Sequence, residues 1–565
     1  MTGKITHPLN DINSASLQAP KAHQAGDGHA NEESAVDSAP PATIHVTGIR
    51  FVLLLLAIYI SIFLIALDQL IVSTAIPNIT DEFQSLGDIG WYGSAYLLTS
   101  CSFQLMFGKI YTFYPVTIVY SVAILFFEVG SAICGAAPSS GAFIAGRSIQ
   151  GIGAAGIYSG SVVGIVYAVP LQQRPIYMGL FGATSGVATI MGPLVGGAFT
   201  SNVTWRWCFY INIPFGVVAL VIIGVWLRIP ERDTAKISWA KKISQLDAAG
   251  TVFLIPGVVS LLLALQWGGT TYPWNNGRVI ALLAVGGVLL LAFIAVQILM
   301  PRTATVAPRI FQQRSIYAGF TAIFCIGAQM NVFLYFLPLW FQAIKGVSAV
   351  DSGIRLLPFP LATIIASVLV GGAAAQLGYY TPFLLAGACL MAIGSGLLTT
   401  LQVDSGMPKW IGYQVLYGFG IGMGIQAPNL AAQTVLPMDD VSTGVALMLF
   451  SQLLGGAVFI SIGQSIFTNG LASRLSIIPG FDASILGDNG ATMISSSIPA
   501  ELKTPVLVAY NEALRGAFRA GLVVACLTIV GAVLMEWRSV KPDQSGAKAA
   551  KGSGSANDMQ DEQKT

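Results

Sequence analysis

Between residues 50 and 537 the chain is a succession of apolar runs, each about as long as a helix that crosses the hydrocarbon of a bilayer, roughly 20 residues. By this length rule about fourteen runs stand out. They fall near 50–76, 90–109, 116–137, 142–168, 176–200, 206–228, 247–267, 279–299, 315–342, 353–375, 381–402, 410–434, 442–468 and 516–537. A chain that is 54% apolar and 10% charged cannot clothe a water-facing surface, because a soluble domain carries about 25% charge. The expectation is an all-α membrane protein whose solvent is lipid. A net charge of +2 gives no case for nucleic acid. The six cysteines lie in or beside apolar runs without metal-ligand spacing and read as small core residues, with a Cys134–Cys208 bridge as a weak alternative.

Both ends differ from the middle. Residues 1–46 hold all four histidines, His7, His23, His29 and His45, in a polar stretch without the apolar core of a signal peptide. The histidines are too widely spaced for a metal tract. This segment and residues 540–565 are expected to be disordered tails. An even number of spans puts both on one side. Arg228, Arg232, Lys236, Lys241 and Lys242 follow the sixth run and Arg302, Arg309 and Arg314 the eighth, whereas the first loop carries Asp81, Glu82 and Asp88. Bases favour the cytoplasmic side, so both termini are expected there. Lys345, Arg355 and Lys409 run against this bias. The loop 469–515 would then be external, as would "NIT" at Asn78 and "NVT" at Asn202. Both are glycan acceptor patterns whose plain reading is unmodified polar loop.

"GRSIQGIGAAG" from Gly146 is echoed by "GYQVLYGFGIGMG" from Gly412, and "YTFYP" by "LGYYTP", at an offset of roughly 266 residues. Repeated halves place a substrate site between them near the membrane midplane. The plan is six spans (47–230), a cytoplasmic linker with an inserted pair (231–310), and six more (311–539). Chance likeness of Gly-rich segments is the rival reading.

Charges inside a bilayer are costly, and so are functional candidates by default. Asp68, Glu128 and Arg147 lie well inside their runs. No histidine does, so proton exchange would fall to the carboxylates. Burial raises a carboxyl's proton affinity and a neighbouring arginine lowers it, which is a means of coupling protonation to shape. A static ion-pair network is the alternative. Asp247 and Glu536 read as interface residues. For cargo, buried amides want partners. Gln104, Gln342, Gln426 and Asn429, with Trp340, are the binding candidates in what reads as an apolar pocket for a flat organic molecule.

"GLFGATSGVATIMGPLVGG", Gly179 to Gly197, packs six glycines and Pro193 into one run. Glycines four apart, Gly182 with Gly186 and Gly192 with Gly196, flatten a helix face for close packing, expected here against the second half. Pro193 is expected to bend the helix.

At these residues the chain resembles the major facilitator superfamily, specifically the fourteen-span drug:proton antiporters of fungi that export toxins and other secondary metabolites. "LDQLIVSTAIPNI" from Leu67, "RSIQGIGAAG" from Arg147, "GPLVGG" from Gly192 and "WRWCFYINIPFG" from Trp205 carry the resemblance, which covers about 50–538. "LPLWFQAIKGVSAVDSGIRLLP" and "FTNGL" share its flavour. The resemblance implies the major facilitator fold with 14 transmembrane helices (6 + 2 + 6). It implies proton coupling through Asp68, Glu128 and Arg147, and a leak-sealing gate at Gly186, Gly192, Pro193, Gly196 and Gly197. It also implies efflux of a small amphipathic compound by a monomer in the plasma membrane, with no cofactor beyond the proton gradient. Vacuolar or vesicle membranes are the alternative location. One departure stands out. The loop "FGKIYTFYP" carries Lys109 alone and no acid where the family places a charged latch, so a weaker or aromatic latch through Tyr111, Phe113 and Tyr114 is expected. A proton-coupled importer such as a siderophore symporter and a non-transporting sensor remain as rivals. An enzyme is disfavoured because the sequence offers no P-loop, no intramembrane His cluster and no nucleophile elbow.

Overall fold

The computed structural model describes residues 48–85, 88–226, 245–269, 271–478 and 500–541. The tails 1–46 and 542–565 and the basic loop 227–244 lie outside the described residues. Among the described residues every regular element is a helix. Among the described residues, twelve helices are long and apolar enough to cross a membrane.

The first half contains α1 (Ile49–Phe83), α2 (Ile89–Phe113), α3 (Val116–Gly135), α4 (Ser140–Ala168), α5 (Arg174–Asn202), the short α6 (Trp207–Tyr210) and α7 (Asn212–Trp226). The inserted pair is α8 (Ala248–Trp267) and α9 (Gly277–Leu299). After the single turn α10 (Pro308–Phe311) come α11 (Arg314–Lys345), α12 (Ala349–Leu356), α13 (Pro358–Leu377), α14 (Thr381–Leu398), α15 (Met407–Gly424), α16 (Ala427–Val435), α17 (Met438–Leu475) and α18 (Ala500–Leu534). Of the expected spans, α2 and α15 fall outside the twelve. Both spend polarity on the interior. On α2, Ser100 donates to the Gly151 carbonyl (2.9 Å) and Gln104 to Ser159 Oγ (2.6 Å), so the helix is satisfied by neighbours rather than by lipid.

The sequence echo corresponds to equivalent packing. In the first half α4 lies on α2 and α3, and in the second α15 lies on α13 and α14. Glycines make both contacts possible. A Cβ on Gly153 would strike the Phe127 amide, and one on Gly422 the Thr363 carbonyl. Contacts between the halves repeat the symmetry: α2 packs on α17, and α5 on α13.

The Gly-rich helix α5 runs unbroken through Pro193. Its glycines serve two faces. Gly179, Gly182 and Gly186 press on Ser367, Gly371 and Ile364 of α13, in the second half as expected. Gly192 and Gly196 press instead on Leu70, Ile71 and Thr74 of α1, within the first half. The reason is angular: six residues from 186 to 192 turn a helix by roughly 240°. Gly197 has nothing within 4 Å of its Cβ position, so it takes no part in that wall.

Other expectations also shift. Of the loop foreseen at 469–515, the part to Leu475 belongs to α17 and the part from Ala500 to α18, while 479–499 lie outside the described residues. Polar residues can extend a helix beyond lipid when they find partners, as Asn511 does with Trp340 Nε1 (2.7 Å) and the Leu401 carbonyl (3.2 Å). All six cysteines are free, Cys134 and Cys208 included. Asn78 and Asn202 are exposed but sit on helices rather than in a loop, and Asn78 Nδ2 donates to the Thr200 carbonyl (3.3 Å). Asp247 is buried rather than interfacial, 3% exposed.

Gly153→Leu should force α3 from α4 and cost about 1–3 kcal/mol, the usual toll of overpacking. Thermal unfolding of detergent-purified protein should show a midpoint several degrees lower. Gly141→Ala, on the same helix with nothing within 4 Å of its Cβ position, should not lower it.

Candidate functional site

Two of the sequence candidates, Asp68 and Arg147, form one buried charge pair in the first half. Asp68 on α1 and Arg147 on α4 are 0% and 1% exposed, with Arg147 Nη1 to Asp68 Oδ2 at 2.5 Å. In so dry a place the pair holds only if its remaining hydrogen-bonding capacity is met. Asp68 Oδ1 accepts from Gln150 Nε2 (3.0 Å) and Asn212 Nδ2 (3.2 Å). Arg147 also donates from Nη1 to Gln150 Oε1 (2.7 Å) and from Nε to the Tyr92 carbonyl (2.9 Å). Gln150 Nε2 and Asn212 Nδ2 both reach Ser131 Oγ, at 2.7 and 3.1 Å. The guanidinium lies over the Tyr96 ring, 4.6 Å from its centroid. Five helices, α1, α2, α3, α4 and α7, thus converge on one network.

Glu128 is placed differently. It is 9% exposed, and neither carboxyl oxygen has a hydrogen-bond partner. Its side chain fills the space where a Cβ of Gly216 would stand. Asp68 therefore has three donors on its carboxylate and Glu128 has none.

Beside this network, between the halves, lies a cavity of about 180 Å³. Its walls come from α1, α2 and α5 on one side and α11, α13, α17 and the α15–α16 junction on the other. Gln104 and Gly182 are nine and eight residues from the ends of α2 and α5. At 1.5 Å per residue that is about 12–14 Å, near half of a hydrocarbon core about 30 Å thick. Gln104, Gln426 and Asn429 line this cavity as the sequence suggested, and Gly186 forms part of its wall. Tyr96 Oη, Gln104 Oε1 and Asn429 Oδ1, all on lining residues, are buried polar atoms without partners, the kind that a ligand can satisfy. A larger apolar cleft, about 520 Å³, opens between the inserted pair and α17, but only Gln297 and Gln312 give it amides.

Trp340 and Gln342 do not line the cavity. Trp340 is fully buried inside the second half and donates to Asn511, because the turn of α11 that faces the cavity carries Met330, Asn331 and Leu334. Sequence reasoning missed Gln69, Asn331 and Gln452 on the cavity wall, and Gln150 and Asn212 in the ion network. Gln150 was within reach: it stands three residues after Arg147 and so shares its helix face.

Two links join network and cavity. Tyr96 touches Arg147 on one side and lines the cavity on the other. On α1, Asp68 is followed at once by Gln69 and Leu70 of the cavity wall, and Leu70 is the residue against which Gly192 packs.

Asp68→Ala should leave Arg147 charged and unpaired in a dry site, a loss of about 3–5 kcal/mol. The protein should fail to accumulate or should melt well below wild type. Asp68→Asn combined with Arg147→Gln, which keeps hydrogen bonding without charge, should recover most of the melting temperature.

Comparison with known proteins agrees with this architecture. The profile described as Major Facilitator Superfamily matches residues 58–460. An MFS-type transporter of Claviceps purpurea is 49% identical over 519 residues, 90% of each chain. The MFS-type efflux pump MFS1 of Arthroderma benhamiae is 48% identical over 500 residues, 88% of this chain and 93% of that one. Among solved structures, the proton:xylose symporter XylE superposes with a TM-score of 0.54 at 14% identity, covering 86% of this chain and 94% of the other, a likeness of fold. A chain with this fold, this profile and these fungal relatives belongs to the Major Facilitator Superfamily of membrane transporters.

Proposed function

We propose that the protein is a proton-coupled exporter of a small amphipathic organic compound, a toxin, other secondary metabolite or drug, working by alternating access. In this reading α2 and α15 are membrane passes too, so the chain crosses fourteen times with both termini in the cytoplasm. It acts as a monomer in the plasma membrane. The observation that carries the proposal is the pair of links from the buried ion network to the cavity through Tyr96 and α1. Export rather than import is supported by relatives such as the one named an efflux pump.

The chemistry follows from the unequal carboxyls. Protonating Asp68 would cancel an ion pair and disturb three hydrogen bonds, whereas Glu128 can take a proton without losing a hydrogen bond. Glu128 is therefore the entry point for the proton and Asp68 the group whose rearrangement moves α1. Because Leu70, Ile71 and Thr74 lie against Gly192 and Gly196, any shift of this turn is felt by α5, which also contacts the other half. The cargo sits among Gln104, Gln426 and Asn429 on apolar walls and is recognised mainly by shape.

Purified protein in sealed vesicles should move an apolar fluorescent cargo when a pH difference is imposed and stop when it is collapsed. Glu128→Gln should fold normally and lose at least about tenfold of the proton-driven rate, the size of effect expected when one essential proton carrier is removed. Transport that is indifferent to both the gradient and Glu128 would end this reading.

A further inference from the structure

Beyond Gln104, toward its C-terminal end, α2 packs closely on the other half. A Cβ on Gly108 of α2 would collide with Ala446 of α17, and Thr112 Oγ1 lies 3.0 Å from Ser442 Oγ. Of the aromatic latch expected from residues 107–115, Tyr111 does not bridge this seam. Tyr111 is fully buried and donates to the Gly156 carbonyl (2.9 Å), which keeps it within the first half.

The bridging groups come instead from the segment after the inserted pair. Lys109 Nζ, on α2, donates to the Ala304 carbonyl at 2.6 Å. Arg309, on α10, holds Asp440 at the start of α17 with two bonds, Nη1 to Oδ2 at 2.6 Å and Nη2 to Oδ1 at 2.8 Å. One tether thus reaches each side of the seam. The segment between them is itself pinned. Asp247, capping α8, accepts from the Gly250 amide (2.8 Å), Gln297 Nε2 (2.7 Å), the Thr305 amide (2.8 Å) and Thr305 Oγ1 (2.7 Å). Gln297 Oε1, on α9, accepts from the Val306 amide (2.8 Å). Four of these five bonds cross from one inserted helix to the other or from them to the segment, so 304–306 is fixed to both.

We propose that residues 300–314, anchored on the inserted helix pair through Asp247, form a strap across the α2–α17 seam that holds this end of the transporter shut. The inserted pair then has a gating role: it supplies from outside the two six-helix halves the Arg309–Asp440 clasp, to which residues 107–115 add only Lys109. This rests on the alternating-access reading, since a clasp has meaning only if the seam opens. A bidentate arginine–carboxylate pair is among the stronger clasps available at a partly exposed site, and it is reversible because Arg309 remains open to water.

The test reads the seam and not transport. Ser442→Cys is placed in full-length protein with the two exposed native cysteines changed, Cys389→Ser and Cys526→Ser. Labelling by a membrane-impermeant maleimide is followed from the face on which residue 113 lies. Arg309→Gln should speed labelling by about 3- to 10-fold, the effect of losing one charge-assisted clasp. Asp247→Asn, whose hydrogen bonds go to Gly250, Gln297 and Thr305 and not to α2 or α17, should do so too. The exchange Arg309→Asp with Asp440→Arg should return the rate to within about twofold of the parent. Unchanged or slower labelling in Arg309→Gln overturns the strap, and so does faster labelling that the charge exchange fails to reverse. A vesicle protein that does not transport yet shows these labelling changes would sink the exporter reading and leave the strap standing.

Discussion

The Asp68–Arg147 pair is the constraint around which the first half is arranged. Two full charges withdrawn from water in a lipid-bounded protein demand compensation, and it is drawn from five helices at once. Gln150 and Asn212 close the remaining valences, Ser131 is shared between them, and the Tyr96 ring covers the guanidinium. α1, α2, α3, α4 and α7 are thereby held in one register. Glycine makes the convergence geometrically feasible: Gly130 and Gly146 lie where α3 and α4 run almost backbone to backbone, and Gly216 leaves the room that Glu128 occupies. Polar specificity and close packing are one device here, because lipid supplies little force of its own to press helices together.

From that centre the architecture extends by symmetry and then departs from it. Each half lays its fourth helix on its second and third, and the halves meet through α2 with α17 and α5 with α13. Charge breaks the symmetry. Where α4 carries Arg147, α15 carries Tyr413, and the buried network has no counterpart at that position. The second half presents amides and apolar rings to the cavity. The two halves are therefore built differently: the first around a buried charge pair, the second around the packed rings of Phe333, Tyr417 and Phe518.

How far these features were legible from sequence depends on what each residue must satisfy alone. Asp68, Glu128 and Arg147 stood out because a charge in an apolar run is costly wherever the helix faces. Gln104, Gln426 and Asn429 were found on similar grounds. Trp340 and Gln342 were not separable from them, because a large or amide side chain on a helix surrounded by protein can point to the cavity or into a helix seam. The choice depends on rotation about the axis that one chain does not reveal. α11 shows this directly, since Asn331 lines the cavity and Trp340, nine residues on, is spent on Asn511. The two glycine faces of α5 were in principle readable from six-residue spacing. Their partners were not, as nothing in α1 or α13 announces which neighbour it will have.

The inserted pair marks the limit of reading by family pattern. Seen as sequence it is two apolar runs with a basic loop on either side, with Asp247 read as an interface residue and Gln297 not singled out. In the fold they are buried and bonded to one another, with Thr305 and Val306 drawn into the same knot. A carboxylate buried at the mouth of a helix pair is stable only while those donors stay in place, so the knot resists rearrangement. Rigidity here and reversibility at Arg309 are complementary requirements: a clasp that must open repeatedly needs a fixed anchor at one end and a water-exposed contact at the other. The loss of acidic charge from the loop 107–115 is then no weakening of the gate, because the carboxylate of Asp440 has found its cation on a different element.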